Sequence, residues 1–538
     1  MPGRELGGAL SPASPRAVGA AVVLIAALAA AALALPGQAV SAKYLNDLMI
    51  FLDGAHRIAS GQVPHVDFHT PMGPLTNLLP AAGLLLAGSL GAAMPLGVGL
   101  LILGLAPVMA HVLVSRLHPV LALAMAVYLA LILAAPSNLG EPPQVLSFAM
   151  FYNRVGWAAL ALLLVMVLPP RGARHIVRDG LCAAALALLM LYLKASYGAV
   201  ALAFLAAMLL DRDARPWAAL ALGVTLAATL VLEAVWRLPS AYLLDLLQAA
   251  HASGAVQGGP ERLLVSFREN LFDYAVFAIV VAVAAAVLRD WRLLVFLGFC
   301  GGAGLMIQNQ NFQVSGIVTL AAGAVVAAEA IRRRGSPLEG WRGRGALAAA
   351  GVLLLALIAP MIVDRSVSLG THAVLAGTKP AHRFAGLPRL DRIVLADTGS
   401  VWDARYTNEY VATLEDGARA LAALGPKADR VTVLDFVNPF SAGLGLAPPR
   451  GDYSVTQFER TFDRKHFVPA ATVLGDARVV MEPKWRIDPP GTEAFLALYA
   501  DYISAHFEPV RESEHWRIFV RREGPAPETT ASSAGRTQ

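Results

Sequence analysis

This chain is poor in charge. Its 538 residues include 43 Lys and Arg and 38 Asp and Glu, 15% in all, where an ordinary soluble domain carries about 25%. With 57% apolar residues, the composition excludes a disordered chain and a purely soluble enzyme. Cysteine is almost absent. Cys182 and Cys300 lie in apolar segments with no His or Cys at ligand spacing, which excludes a disulfide scaffold and leaves them as small core residues. Internal repeats are missing too. The two halves share no matching pair of broken apolar segments, and ionisable residues inside those segments are scarce, Glu233 standing near an end. A repeat-built transporter and a proton relay therefore have little support.

The shortage of charge is uneven. From Asp364 onward the chain holds 21 positive and 22 negative residues, about 25% of that stretch. The first 363 residues hold the remaining 22 positive and 16 negative residues, about 10%, and account for the whole of the positive excess. The excess therefore does not mark a nucleic-acid partner; Lys and Arg in such a region report membrane topology.

A span needs about 20 predominantly apolar residues. Eleven segments meet or approach this: 17–40, 95–115, 118–136, 155–170, 179–193, 197–210, 216–235, 271–289, 291–307, 313–331 and 345–363. A further apolar stretch, 73–90, is interrupted by Pro74, Pro80 and Gly83. If it does not cross, 13 basic residues, from Arg116 to the Arg332–Arg334 run and Arg344, fall on one side and seven on the other. If it crosses, every later loop is reversed against the positive-inside rule. The expected fold is a polytopic α-helical membrane protein with about 11 spans, a juxtamembrane helix and a C-terminal α/β soluble domain. Its expected parts are a cytoplasmic segment 1–16, a transmembrane domain 17–363 with outer loop 41–94, an outer domain 364–523 and a disordered tail 524–538.

This topology gathers the polar loops on one face. The richest, residues 44–75, starts with Asn46 and Asp47 and continues with an apolar helical stripe of Leu48, Phe51, Leu52, Ala55 and Ile58. Gly61 and Pro64 end that helix, and Pro71, Gly73 and Pro74 make a second break. His65 and His69 stand at metal-ligand spacing for a helix, but the flanking prolines argue against one there.

The order Asp47, Gly61, Pro64, Asp67, Phe68, Pro71, Pro74 resembles the first outer loop of the GT-C superfamily of membrane glycosyltransferases. That superfamily includes the protein O-mannosyltransferases and the lipid A aminoarabinose transferase. Leu48 stands where the family usually has the Glu of Asp-Glu, and His65 where an aromatic residue is usual. The resemblance implies an inverting transfer of a sugar from a polyprenyl-phosphate-linked donor to a glycan, lipid or protein acceptor, with Asp47 as base. It also implies a helix lying along the membrane at 73–90. No cofactor is implied with certainty; a divalent cation is the one candidate.

The departing phosphate needs cations, and Arg57, Arg154, Lys194 and Arg268 all fall on the expected outer side. Further substrate-binding candidates are Asp67 in the motif, Asn138 and Glu141 in the 137–157 loop, and Tyr197 beside Lys194. Gln308 and Asn309 open a run of four amides that could hold sugar hydroxyls. A non-catalytic protein that holds a lipid-linked glycan, or a flippase for that lipid, would use the same residues. The expected location is a cell inner membrane, with the N-terminus cytoplasmic and the C-terminal domain periplasmic.

In the C-terminal part, 392–397, 431–436, 477–482 and 516–522 read as strands and 406–424 and 491–507 as helices. Asp403 or Thr407 is a candidate cap for the first of these helices. The Gly/Pro-rich loop 438–453 is either a connector or a cover for the membrane cavity.

Overall fold

A computed structural model describes residues 14–253, 259–310, 316–334 and 341–522. The expected tail 524–538, most of segment 1–16 and Asn311 of the amide run lie outside these residues. Helix α1 (Pro15–Ala34) is followed by strand β1 (Ala39–Ser41), α2 (Leu45–Ala59) and α3 (Leu75–Ala87). Next come α4 (Leu90–Arg116), α5 (Pro119–Ala134), α6 (Phe151–Val165), α7 (Ile176–Leu193), α8 (Ala195–Met208) and α9 (Arg215–Trp236). The pair α10 (Leu238–Ser253) and α11 (Pro260–Glu269) precedes α12 (Leu271–Leu288), α13 (Trp291–Asn309), α14 (Val318–Arg334) and α15 (Trp341–Thr378).

Each expected apolar segment contains a helix. Seven of these helices, α1, α4, α7, α9, α12, α13 and α15, are long and apolar enough to cross a membrane, and α3, α5, α6 and α8 are shorter apolar helices. The architecture is that of a multi-pass helical membrane protein. Segment 17–40 is shorter than expected. Its helix ends at Ala34, Gly37 turns the chain at φ +67°, and Ala39–Ser41 becomes a strand.

The turns carrying the surplus arginines are bonded to one another at one end of the bundle. Arg171 donates to the carbonyls of Ser115 and Leu117, and Arg333 to those of Pro169 and Arg116. Asp179 accepts from His111 at 2.7 Å and Arg116 at 2.9 Å, and Glu329 takes Arg332 and Arg333. Buried carboxylates at this end are thus paired, as burial of charge requires.

At the opposite end, α3 spans 13 residues, about 20 Å at 1.5 Å per residue, against roughly 30 Å of hydrocarbon. It packs closely on α4: a Cβ at Gly83 would collide with the Ala93 carbonyl, and one at Gly97 with that of Leu79. Helix α2 is buried on nearly all sides. Leu48, Phe51, Leu52 and Ala55 form the predicted apolar stripe, but Asp53, His56 and Arg57 are covered as well.

What covers them comes from the other end of the sequence. Helix α15 runs 38 residues without a break, so the boundary expected at 364 falls inside a helix. Beyond it lie β2 (Ile393–Leu395), α16 (Val401–Ala422), β3 (Val431–Val433), the short α17 (Phe440–Leu444) and α18 (Ala470–Val473), and β4 (Val479–Pro483). Then follow α19 (Pro489–His506), β5 (Phe507–Glu512) and β6 (Trp516–Arg521). The sheet order is β3-β4-β6-β5, with β3 and β4 parallel and the other pairs antiparallel. All four expected strands are present, but 392–397 is not in this sheet: β2 instead pairs parallel with β1. Strand β5 follows α19 directly and carries little alternation. Ser400, rather than Asp403 or Thr407, caps α16, accepting the Asp403 N–H at 3.3 Å.

The loop 438–453 clamps the 44–75 segment. Arg57 holds Asp53 at 2.6 Å and Asp452 at 2.6 and 3.0 Å, and also donates to the Pro449 carbonyl. Gln62 donates to the carbonyls of Pro448 and Pro449. Asp67 accepts the Val63 N–H at 2.8 Å and pairs with Arg450 at 2.5 Å. Arg57 is fully buried between its two carboxylates. Removing one partner of such a set leaves an uncompensated buried charge, worth about 3–5 kcal/mol. Arg57→Met should therefore lower thermal stability in detergent by about that amount. Arg450→Ala, at an exposed position, should cost about 1 kcal/mol or less. Differential scanning fluorimetry of the two variants would make the comparison.

Candidate active site

A cavity of about 1810 Å³ opens between the bundle and the C-terminal part. Its bundle-side wall carries Asp47, Glu141, Arg154, Lys194 and Asn309; the facing wall carries Asp403, Tyr406, Arg460 and Trp485. Among the candidates, Asp47, Asn138, Glu141, Arg154, Lys194 and Asn309 are brought together here, though five different segments supply them.

Asp47 sits in the first turn of α2, behind Tyr44 at the cap position in a left-handed conformation (φ 59°). Its side chain does not cap the helix. One oxygen accepts from Asn46 Nδ2 at 2.9 Å. The carboxylate faces the cavity, with protein on its other sides. Burial dominates and pushes its pKa up to about 7; the Asn46 hydrogen bond opposes this and the charge of Glu141 adds to it. A carboxyl poised near neutrality suits a general base. Glu141, by contrast, is engaged on both oxygens, by the Tyr44 hydroxyl at 2.8 Å and Asn138 Nδ2 at 3.0 Å. Arg365 on α15 organises this loop by donating to the carbonyls of Ser137, Asn138 and Glu141.

The cationic side is built around α6. Met150 caps that helix, so Asn153 and Arg154 are not its caps. Arg154 is 2% exposed and lines the cavity, and its Nε and Nη1 have no hydrogen-bond partner among the described residues. Lys194, at the break between α7 and α8, donates to Asn153 Oδ1 at 3.2 Å and lies 5.2 Å from the Tyr152 ring centroid. Burial first, and the charge of Arg460 second, draw its pKa down to about 7. Asn309, buried in the last turn of α13, presents an Oδ1 that has no hydrogen-bond partner among the described residues.

The remaining candidates lie elsewhere. Arg57 and Asp67 are committed to the clamp described above. Tyr197 is fully buried with its ring 5.4 Å from Trp157, and its packing leaves no room for a Cβ at Gly156. Gln308 is buried behind Asn309 and does not line the cavity, and Arg268 is exposed on α11. Among the described residues, no group of three or more His, Cys, Asp or Glu is arranged to hold a metal ion. With Glu141 already engaged, the side chains present do not form a set for a divalent cation. His65 and His69 instead both meet Asp245 of α10, each at 2.8 Å. Arg460, Tyr152 and the aromatic residues of the facing wall were not legible as site residues, because no local motif surrounds them.

A buried guanidinium with two nitrogens lacking a partner among the described residues is a cost in the resting protein that a bound anion would relieve. Arg154→Met should therefore unfold at a temperature no lower than the parent. Its affinity for a phosphate monoester should fall by roughly tenfold or more, since hydrogen bonds to charged groups contribute about 1.5–3 kcal/mol. Thermal unfolding and isothermal titration would test the two halves of this expectation. Compared with known proteins, the chain matches no family model, no curated protein and no solved structure.

Proposed function

We propose that the chain is an integral-membrane glycosyltransferase of GT-C type. It moves a sugar from a polyprenyl-phosphate-linked donor to an envelope acceptor, with inversion and with Asp47 as the single base. The observation that carries this reading is the pairing of unlike groups in one cavity: a carboxylate poised near neutrality on one helix, and on another a buried guanidinium with two nitrogens that have no partner among the described residues. In this reading all eleven apolar segments cross, and α3 lies along the membrane surface. The arginine-rich end is cytoplasmic, and the cavity and C-terminal domain are periplasmic in a bacterial inner membrane. The clustering of basic turns at one end supports that orientation.

The chemistry needs one proton transfer and one bond exchange. As the acceptor hydroxyl oxygen attacks the anomeric carbon, Asp47 takes its proton. The bond from that carbon to the phosphate oxygen breaks, and the electron pair leaves on the lipid phosphate. Arg154 and Lys194 meet the charge developing there, with Arg460 at the far side of the cavity. Wall residues that exclude bulk water strengthen these interactions.

Two ionisations near neutrality set the pH dependence. Asp47 must be unprotonated and Lys194 protonated, and both have pKa values of about 7 in the free protein. Activity as kcat/KM should therefore be bell-shaped and centred near neutrality, falling on the acid side as Asp47 gains its proton. Lys194→Arg should flatten the alkaline limb alone. Asp47→Asn should lose about 10²–10⁴-fold in transfer with normal expression. Unchanged envelope glycolipids and glycans by mass spectrometry in that variant would sink the assignment. Movement of the donor across the membrane without alteration would favour a flippase.

A further inference from the structure

The wall facing Asp47 carries a feature that the transfer chemistry itself does not require. On α16, Trp402 and Tyr406 are four residues apart and so share a helix face. Trp485, from the loop after β4, packs against Tyr406 with ring centroids 5.3 Å apart at 56°. All three line the cavity. Trp402 is 79% exposed at its rim, so its ring face is open to a ligand. The rings are interleaved with hydrogen-bonding groups: Asp403, Thr407, Glu409 and Gln457 line the same wall. Tyr406 lies within electrostatic reach of Asp47, so the strip of rings leads from the rim toward the carboxylate.

A lipid surface would ask for an unbroken apolar patch, and a phosphate for cations without carboxylates among them; here Arg405 stands among Asp403 and Glu409. Rings alternating with carboxylates, a hydroxyl and an amide fit a ligand that is apolar on its faces and hydroxylated around its edge. A pyranose ring is such a ligand. Its axial C–H groups stack on an aromatic face, while its equatorial hydroxyls find acceptors and donors beside the ring. In the proposed reaction the donor phosphate meets Arg154 and Lys194 on the bundle-side wall, which leaves this strip to the acceptor. We propose that Trp402, Tyr406 and Trp485 form a stacking platform for a saccharide acceptor, so that the acceptor is a glycan and not a bare protein hydroxyl. Assigning the platform to the acceptor rests on Asp47 being the base.

The full-length protein in an amphipol, free of sugar-headed detergent, would be examined by saturation-transfer NMR. The probes are mannobiose, cellobiose and maltotriose, with a Ser/Thr-rich peptide alongside. At least one saccharide should bind, with the strongest transfer to the C–H protons of one ring face. Trp402→Ala and Trp485→Leu should weaken it by about tenfold, while Trp402→Phe retains it. Because Trp402 is exposed, its alanine variant tests the platform without a folding penalty. Asp47→Asn should bind the saccharide as the parent does, so binding is read independently of catalysis. The platform is overturned if no saccharide binds, if Trp402→Ala binds as well as the parent, or if Trp402→Ala loses the peptide instead. Loss of the base assignment with saccharide binding intact would leave the platform standing and remove only its link to the acceptor.

Discussion

The buried guanidinium of Arg57, held between Asp53 on its own helix and Asp452 nearly 400 residues later, is the contact on which the rest of the arrangement depends. Two carboxylates and one guanidinium out of water are tolerable only when they are paired, and here the guanidinium reaches both carboxylates and the carbonyl of Pro449, leaving only Asp53 Oδ1 of the set without a hydrogen-bond partner among the described residues. The set locks α2 to the 438–453 loop. Locking α2 fixes where its first turn points, and Asp47 is in that turn. The parallel pairing of β1 with β2 adds a second tie on the other side of α2. The cavity is the space left between a bundle and a C-terminal part that these two ties hold in register.

That arrangement accounts for the electrostatics of the cavity. Charges at the arginine-rich end and in the clamp meet opposite charges, although Arg116 Nε and Asp53 Oδ1 lack a hydrogen-bond partner, whereas Asp47 and Arg154 in the cavity have no ion pair among the described residues. Arg154 has no partner for two of its nitrogens, and Asp47 has only an amide neighbour on one oxygen. A protein keeps such groups buried where a ligand completes them. Burial is also what brings the acid and the amine to similar pKa values, from opposite directions and for the same reason: each resists its charged form.

Much of the helical part was legible, because an apolar run of about 20 residues has few alternatives. The 73–90 stretch was assigned by counting arginines; α3, at 13 residues, is one of four apolar helices shorter than the seven long ones, beside α5, α6 and α8. Asp47 was legible through its place at the head of the 44–75 segment. Arg57 and Asp67 were read as substrate ligands because they are charged and lie on the same face as Asp47. They turned out to be clamp residues, since their partners Asp452 and Arg450 are remote in sequence. Tyr197 and Arg268 failed for a related reason: residues one helical turn apart can face a core, a cavity or solvent, and the neighbours decide which.

By itself, then, the sequence determined where the apolar helices lie along the chain, the turns in which the arginines gather, and the loop that bears the first carboxylate. These follow from local hydropathy and charge, which depend on neighbours a few positions away. Only the tertiary structure decided which charges pair and which face the cavity, that α15 continues well past Asp364, and that the C-terminal part supplies a wall of aromatic rings. Those outcomes depend on contacts between residues hundreds of positions apart, where the partner a side chain meets, and not its own type, sets whether it stabilises the fold or waits for a ligand.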